Sequence, residues 1–160
     1  MLFRSDRLGA RLTDPALAQV FVLAERERPR YAHIGGMTRD RLAAFTFDTF
    51  RPGGKSVRGH DASLEGAYRE ARTWADHPEG WLVFFGLSGR GKTHLAAAIA
   101  NQRLDQGDSV CFVNVPDLLD ELRASFAPDA PQRYDDLFTR VREAPVLILD
   151  DFGAHQTTPW

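Results

Sequence analysis

Eight consecutive residues, Gly86-Leu87-Ser88-Gly89-Arg90-Gly91-Lys92-Thr93, match the pattern G-x-x-x-x-G-K-[ST] at every fixed position. A continuous apolar run, Trp81-Leu82-Val83-Phe84-Phe85, stands directly before them. Such a run reads as a strand buried on both faces. Directly after, the spacing predicts a helix from about Lys92 to Gln106, with Gly107 as its C-cap. Strand, glycine-rich turn and helix in that order constrain the chain more than any other feature. Glycines allow a tight turn and a close approach of backbone to a ligand. Successive N–H groups then form an anion nest at the positive end of a helix. The implied ligand is a nucleoside triphosphate.

The rest of the pattern fits an α/β domain. Leu64, Ala67, Tyr68, Ala71 and Trp74 share one helical face between Ser63 and Asp76. Val110-Cys111-Phe112-Val113 reads as a second buried strand, and Pro116 opens a helix with the stripe Leu118, Leu119, Leu122 and Phe126. Tyr134, Leu137, Phe138 and Val141 mark another helix, and Val146-Leu147-Ile148-Leu149 a third strand. Strands alternating with helices predict a parallel sheet covered on both faces, a three-layer αβα phosphate-loop NTPase fold. Residues 1–45 read as mostly helical, with Leu17, Val20, Phe21 and Ala24 at helical spacing, and Arg51-Pro52-Gly53-Gly54 breaks regular structure. The expected division is an N-terminal extension over 1–58 and a nucleotide-binding core over 59–160.

Within the loop, Lys92 is expected at the β- and γ-phosphates and the Thr93 hydroxyl on Mg²⁺. Gly86, Ser88, Gly89, Arg90, Gly91 and His94 complete the expected cofactor-binding set. Asp150 and Asp151 close the third strand, at the sheet edge where ligands of parallel sheets bind. Asp150 is the expected metal-side carboxylate, acting through water, and Asp151 the residue that orients or deprotonates the attacking water. Gly54-Lys55-Ser56 imitates the end of a phosphate loop, but Thr49 stands where the template needs glycine.

Composition supports the lysine assignment. Eighteen basic residues are arginine and two are lysine, Lys55 and Lys92, so a lysine stands where a compact ammonium suits a phosphate site. Charge is divided along the chain. Residues 1–60 hold eleven Arg or Lys against six Asp or Glu, and residues 61–160 nine against sixteen. A basic N-terminal part suits DNA or an acidic partner, or a solvated surface. The single cysteine, Cys111, excludes an internal disulfide. With no apolar stretch of membrane-spanning length and no secretory leader, the expectation is a cytoplasmic protein with no membrane partner.

These segments together resemble the DnaC/IstB-like ATPases of the AAA+ class, replicative-helicase loaders and transposon ATP-binding helpers. The resemblance runs over about residues 45–160. It is carried by Phe45-Thr46-Phe47-Asp48-Thr49-Phe50-Arg51-Pro52, by the loop continued through Asn101, by Val115-Pro116-Asp117-Leu118-Leu119, and by Leu147-Ile148-Leu149-Asp150-Asp151-Phe152-Gly153 with Thr158-Pro159-Trp160. It implies ATP and Mg²⁺ as cofactors and Lys92, Thr93 and Asp150 as their ligands. Asp151 stands where most of the class has glutamate. It further implies ATP bound between subunits of a homo-oligomer, contact with single-stranded DNA, and a helicase or transposase partner held by residues 1–44. Members continue past the equivalent of Trp160 with a sensor strand and an arginine that completes the neighbouring site, so a chain ending there is expected to be C-terminally truncated and to hydrolyse poorly. A helicase loader using ATP as a switch is the leading reading. A transposition helper, a non-hydrolysing interaction protein and a small-molecule kinase are the alternatives.

Overall fold

A computed structural model describes residues 2–3, 30–52, 62–125 and 134–153. In chain order these form β1 (Leu2–Phe3), β2 (Tyr31–Ile34), α1 (Arg39–Ala43), α2 (Ala62–Asp76), α3 (Lys92–Asp105), β3 (Val110–Asn114), α4 (Val115–Ser125), α5 (Tyr134–Glu143) and β4 (Val146–Asp150). The sheet order is β1-β4-β3-β2. The strands β2, β3 and β4 run parallel, with Ala32 opposite Cys111 and Cys111 opposite Leu147, while β1 joins β4 antiparallel.

Alternation along the strands divides the core between two layers. Val110, Phe112, Val146 and Ile148 face α1, α2 and α3 and pack with Leu42, Trp74, Leu95 and Ile99. Cys111, Val113, Leu147 and Leu149 face the other way, toward Leu118 of α4 and Val141 of α5. This is the three-layer αβα arrangement with a parallel sheet that the sequence pattern predicts.

Helix α3 forms the centre of the first layer. Nine of its residues, including Ala96, Ala97, Ala98 and Ala100, are buried, so it is covered nearly all round rather than along one stripe. Small alanines let α1, α2 and the sheet approach it together. Its end is a Schellman motif: Gly107 at φ +97° donates its N–H to Leu104 O, and Asp108 donates to Arg103 O. Arg103, buried, is held by Asp108, Gln106 and the carbonyl of Ala75, and so ties α3 to the end of α2.

Two predicted elements differ. Trp81–Phe85 is not in the sheet. Leu82 and Phe84 pack against the first core, whereas Trp81, Val83 and Phe85 are 53%, 47% and 91% exposed. A strand buried on both faces needs a neighbour, and among the described residues the place beside β4 is taken by β1. Of the segment over 1–45 expected to be mostly helical, residues 4–29 lie outside the described residues, Arg39–Ala43 is helix, and one stretch is not. Tyr31–Ile34 is a strand on the outer edge of the sheet, and the turn at Gly35, φ +88°, leads from it toward α1. The stripe Leu17, Val20, Phe21 and Ala24, the Gly54-Lys55-Ser56 motif and the boundary at residue 58 lie outside the described residues.

Candidate nucleotide-binding site

The loop from Gly86 to Thr93 leads into the N-terminus of α3. Its glycines 86, 89 and 91 all take positive φ, at +148°, +75° and +84°. At Gly91 the restriction is double, because an added Cβ would stand 2.8 Å from Cε2 of Phe50. Glycine is therefore required there both by backbone conformation and by the ring packed against it.

Lys92 extends back along the loop, and its ammonium donates to the carbonyls of Gly86 and Leu87, each at 2.9 Å. Thr93 donates its hydroxyl to Oδ1 of Asp150 at 3.0 Å. That bond joins the two halves of the predicted site, 57 residues apart in sequence. Among the described residues no strand ladder links them; α3 packed on the sheet and this bond hold them together. Ser88, Gly89 and Arg90 form the exposed crest of the loop. A cleft of about 250 Å³ opens alongside, walled by Leu64, Ala67, Phe84 and Leu95 and also lined by Lys92 and Arg90.

The two aspartates have different surroundings. Burial raises the Asp150 pKa above the ordinary carboxylate value, and Asp151 adds to that, while the Thr93 hydroxyl and Lys92 oppose it. Asp151 is exposed, adopts φ +55°, and accepts a hydrogen bond from Nδ2 of Asn114 at 3.2 Å. Asn114 lies opposite Asp150 in the β3–β4 register, and its Oδ1 accepts from the Asp117 N–H at the start of α4. Sequence reasoning passed over Asn114; the available signal is a polar residue ending the apolar run Val110–Val113. The ring of His94 is engaged away from the loop, by Thr46 and Thr49.

The donor set fits a magnesium nucleotide. A hydroxyl and a carboxylate 3.0 Å apart would supply hard oxygens to such an ion and leave its remaining positions to phosphate and water. Among the described residues no group of three or more His, Cys, Asp or Glu gathers as a self-contained metal site. Fold and loop together define the class: a phosphate-loop α/β protein with an acid-bearing strand beside its loop. The family model for the IstB-like ATP binding protein matches residues 71–158. The chain belongs to that family.

Relatives agree. The replicative helicase loader DnaI of Bacillus subtilis is 38% identical over 79 residues, 49% of this chain and 24% of DnaI. The replicative helicase loader DnaC of Escherichia coli K12 is 30% identical over 90 residues, 54% of this chain and 36% of DnaC. The chain thus spans about a quarter to a third of the curated relatives it matches. A crystal structure of DnaI superposes with a TM-score of 0.56 at 27% identity, over 78% of this chain and 61% of that one. One of a putative primosome component from Streptococcus pyogenes serotype M3 gives 0.60 at 21% identity, over 78% and 62%.

Proposed function

We propose that this chain binds Mg-ATP through Gly86–Thr93 and Asp150, and that it is the ATP-binding part of a loader of the replicative DNA helicase. The observation that carries the site is the Thr93–Asp150 hydrogen bond, which brings loop and acid strand to one place. Lys92 serves the β- and γ-phosphates, Thr93 and Asp150 the metal, and Asp151 the attacking water, its carboxylate positioned by Asn114. ATP acts as a conformational switch, with single-stranded DNA and further copies of the chain as partners in the whole protein. The loader reading is supported by the names of DnaI and DnaC, the transposition-helper reading by the name of the family model.

Calorimetric titration of Mg-ATP into the 160-residue chain, beside Lys92→Ala, tests the site. Binding that weakens by about tenfold or more in the variant supports it, a difference of about 1.4 kcal/mol or more. A folded chain with no heat of binding refutes it. Co-purification with the replicative helicase, against co-purification with a transposase, separates the loader from the helper.

A further inference from the structure

The phosphate-loop helix α3 is held on its outer side by a segment that precedes it by some forty residues. His94, one residue past Thr93, places Nε2 2.9 Å from the carbonyl oxygen of Thr46 and 3.2 Å from Oγ1 of Thr49. A carbonyl only accepts, so Nε2 carries the proton and donates. The Thr49 hydroxyl donates in turn to Ala44 O at 3.1 Å and accepts the Thr46 N–H at 2.9 Å, closing the turn on itself. The His94 ring stands edge-on to both Phe45 and Phe50, each with centroids 5.2 Å away.

Two turns further along the same helical face, Asn101 repeats the grip. Its Nδ2 donates to Leu42 O at 2.7 Å and Phe45 O at 2.9 Å, and its Oδ1 accepts from Arg39. Phe50 then closes the clamp at the loop itself, its ring where a Cβ of Gly91 would stand. The segment 42–50 thus touches α3 at three levels, the last being the N-cap of the helix that presents its amides to phosphate.

We propose that His94 is a positioning residue for nucleotide binding. Through it the Thr46–Phe50 turn holds Gly91 and the first turn of α3 in the shape that receives phosphate, and nucleotide binding in turn tightens the turn. The second half follows from linkage: an element that improves ligand affinity is stabilised by the ligand to the same extent. This inference rests on the reading of the loop as an ATP site. The ring itself takes no part in contacting phosphate.

The test uses the chain with His94→Ala, His94→Gln and Thr49→Val. Glutamine places an amide nitrogen at about the reach of Nε2 and restores the donor; Thr49→Val removes the second acceptor, and the hydroxyl that closes the turn, at nearly constant volume. Calorimetric titration with Mg-ATP is expected to give affinity about three- to tenfold weaker in His94→Ala and Thr49→Val, the range of one or two hydrogen bonds, and within about twofold of the parent in His94→Gln. Hydrogen exchange over residues 44–50 is expected to slow when Mg-ATP is added to the parent and His94→Gln, and to stay unchanged in His94→Ala. Parent-like affinity in both His94→Ala and Thr49→Val, even with a lowered melting temperature, overturns the proposal and leaves His94 a fold-holding residue. No binding by the parent overturns the ATP reading and this proposal with it. Binding by the parent without protection of 44–50 overturns the coupling alone.

Discussion

Asp150 shows how one position serves two states of the site. Its carboxyl is half-buried between the sheet and Thr93, and burial is the largest cause of its raised pKa. A carboxyl with a raised folded pKa holds its proton more tightly folded than unfolded. Its favourable contribution is therefore complete below the unfolded pKa and lost as pH rises through the folded one. At neutral pH the ionised group works against the nucleotide-free fold, and a dication bound as proposed would reverse the sign. Asp150→Asn is expected to raise the melting temperature of the free chain at about pH 7–8 and to abolish the extra stabilisation given by Mg²⁺ over ATP alone. Melting curves between about pH 5 and 8, with and without Mg-ATP, check both parts. A lowered melting temperature of the free Asn variant at neutral pH would mean that the Thr93 hydrogen bond outweighs burial. For Asn114 the expectation concerns turnover. Asn114→Ala removes the Nδ2 donor from Asp151 and should change kcat for ATP with little change in KM, read from steady-state kinetics in the assembled protein.

At the scale of elements, the run Trp81–Phe85 gives the sharpest test. Its alternating exposure predicts that Val83→Thr and Phe85→Thr change stability by no more than about 0.5 kcal/mol, the usual range for surface positions. Phe84→Ala, against the core, should cost clearly more, and urea unfolding measures all three. If the run were a strand buried on both faces, the Phe85 change would cost about as much as the Phe84 one. Here lies the boundary of what the sequence made legible. The helical spacing of Leu64 to Trp74 placed α2 within a residue, and that of Tyr134 to Val141 marked the presence of α5, because amphipathic periodicity is a local signal. The runs at Val110 and Val146 likewise became β3 and β4. Yet the same kind of run at Trp81 did not enter the sheet, since pairing depends on a partner that may lie anywhere in the chain. Tyr31–Ile34 was missed for the converse reason: four residues are too few for a period, and the pairing with β3 alone makes them a strand. The site was more legible than the sheet. The motif residues Thr93 and Asp150, picked out by pattern, meet in one hydrogen bond, whereas the grip of His94 and Asn101 on residues 42–49 is invisible without the fold.

At the scale of the molecule, the two faces of the sheet are unequal among the described residues. The first layer buries Leu42, Trp74, Leu95, Ile99, Phe112 and Ile148 in one cluster, while the second has Ile34, Cys111, Val113 and Ala144 at its centre. Apolar burial is the dominant favourable term, so the layer of α4 and α5 should open at lower free energy than the layer built on α3. Cys111 reports on that opening. It is buried on the second face, and burial pushes its thiol up to about 11, so both exposure and ionisation require the layer to move. The expected behaviour is negligible alkylation by iodoacetamide at about pH 8 on the timescale of a free thiol, followed in low urea by labelling that precedes the loss of Trp74 fluorescence. Phe112→Ala, which empties a first-layer position on the same strand, should cost about 3–5 kcal/mol and bring global unfolding down toward the labelling transition. Labelling and fluorescence transitions that coincide in the parent chain would instead mean that the layers unfold as one unit. In that case the nucleotide site, which spans α3 of the first layer and the end of β4 shared by both, would draw its rigidity from the entire fold rather than from α3 and the segment clamped to it.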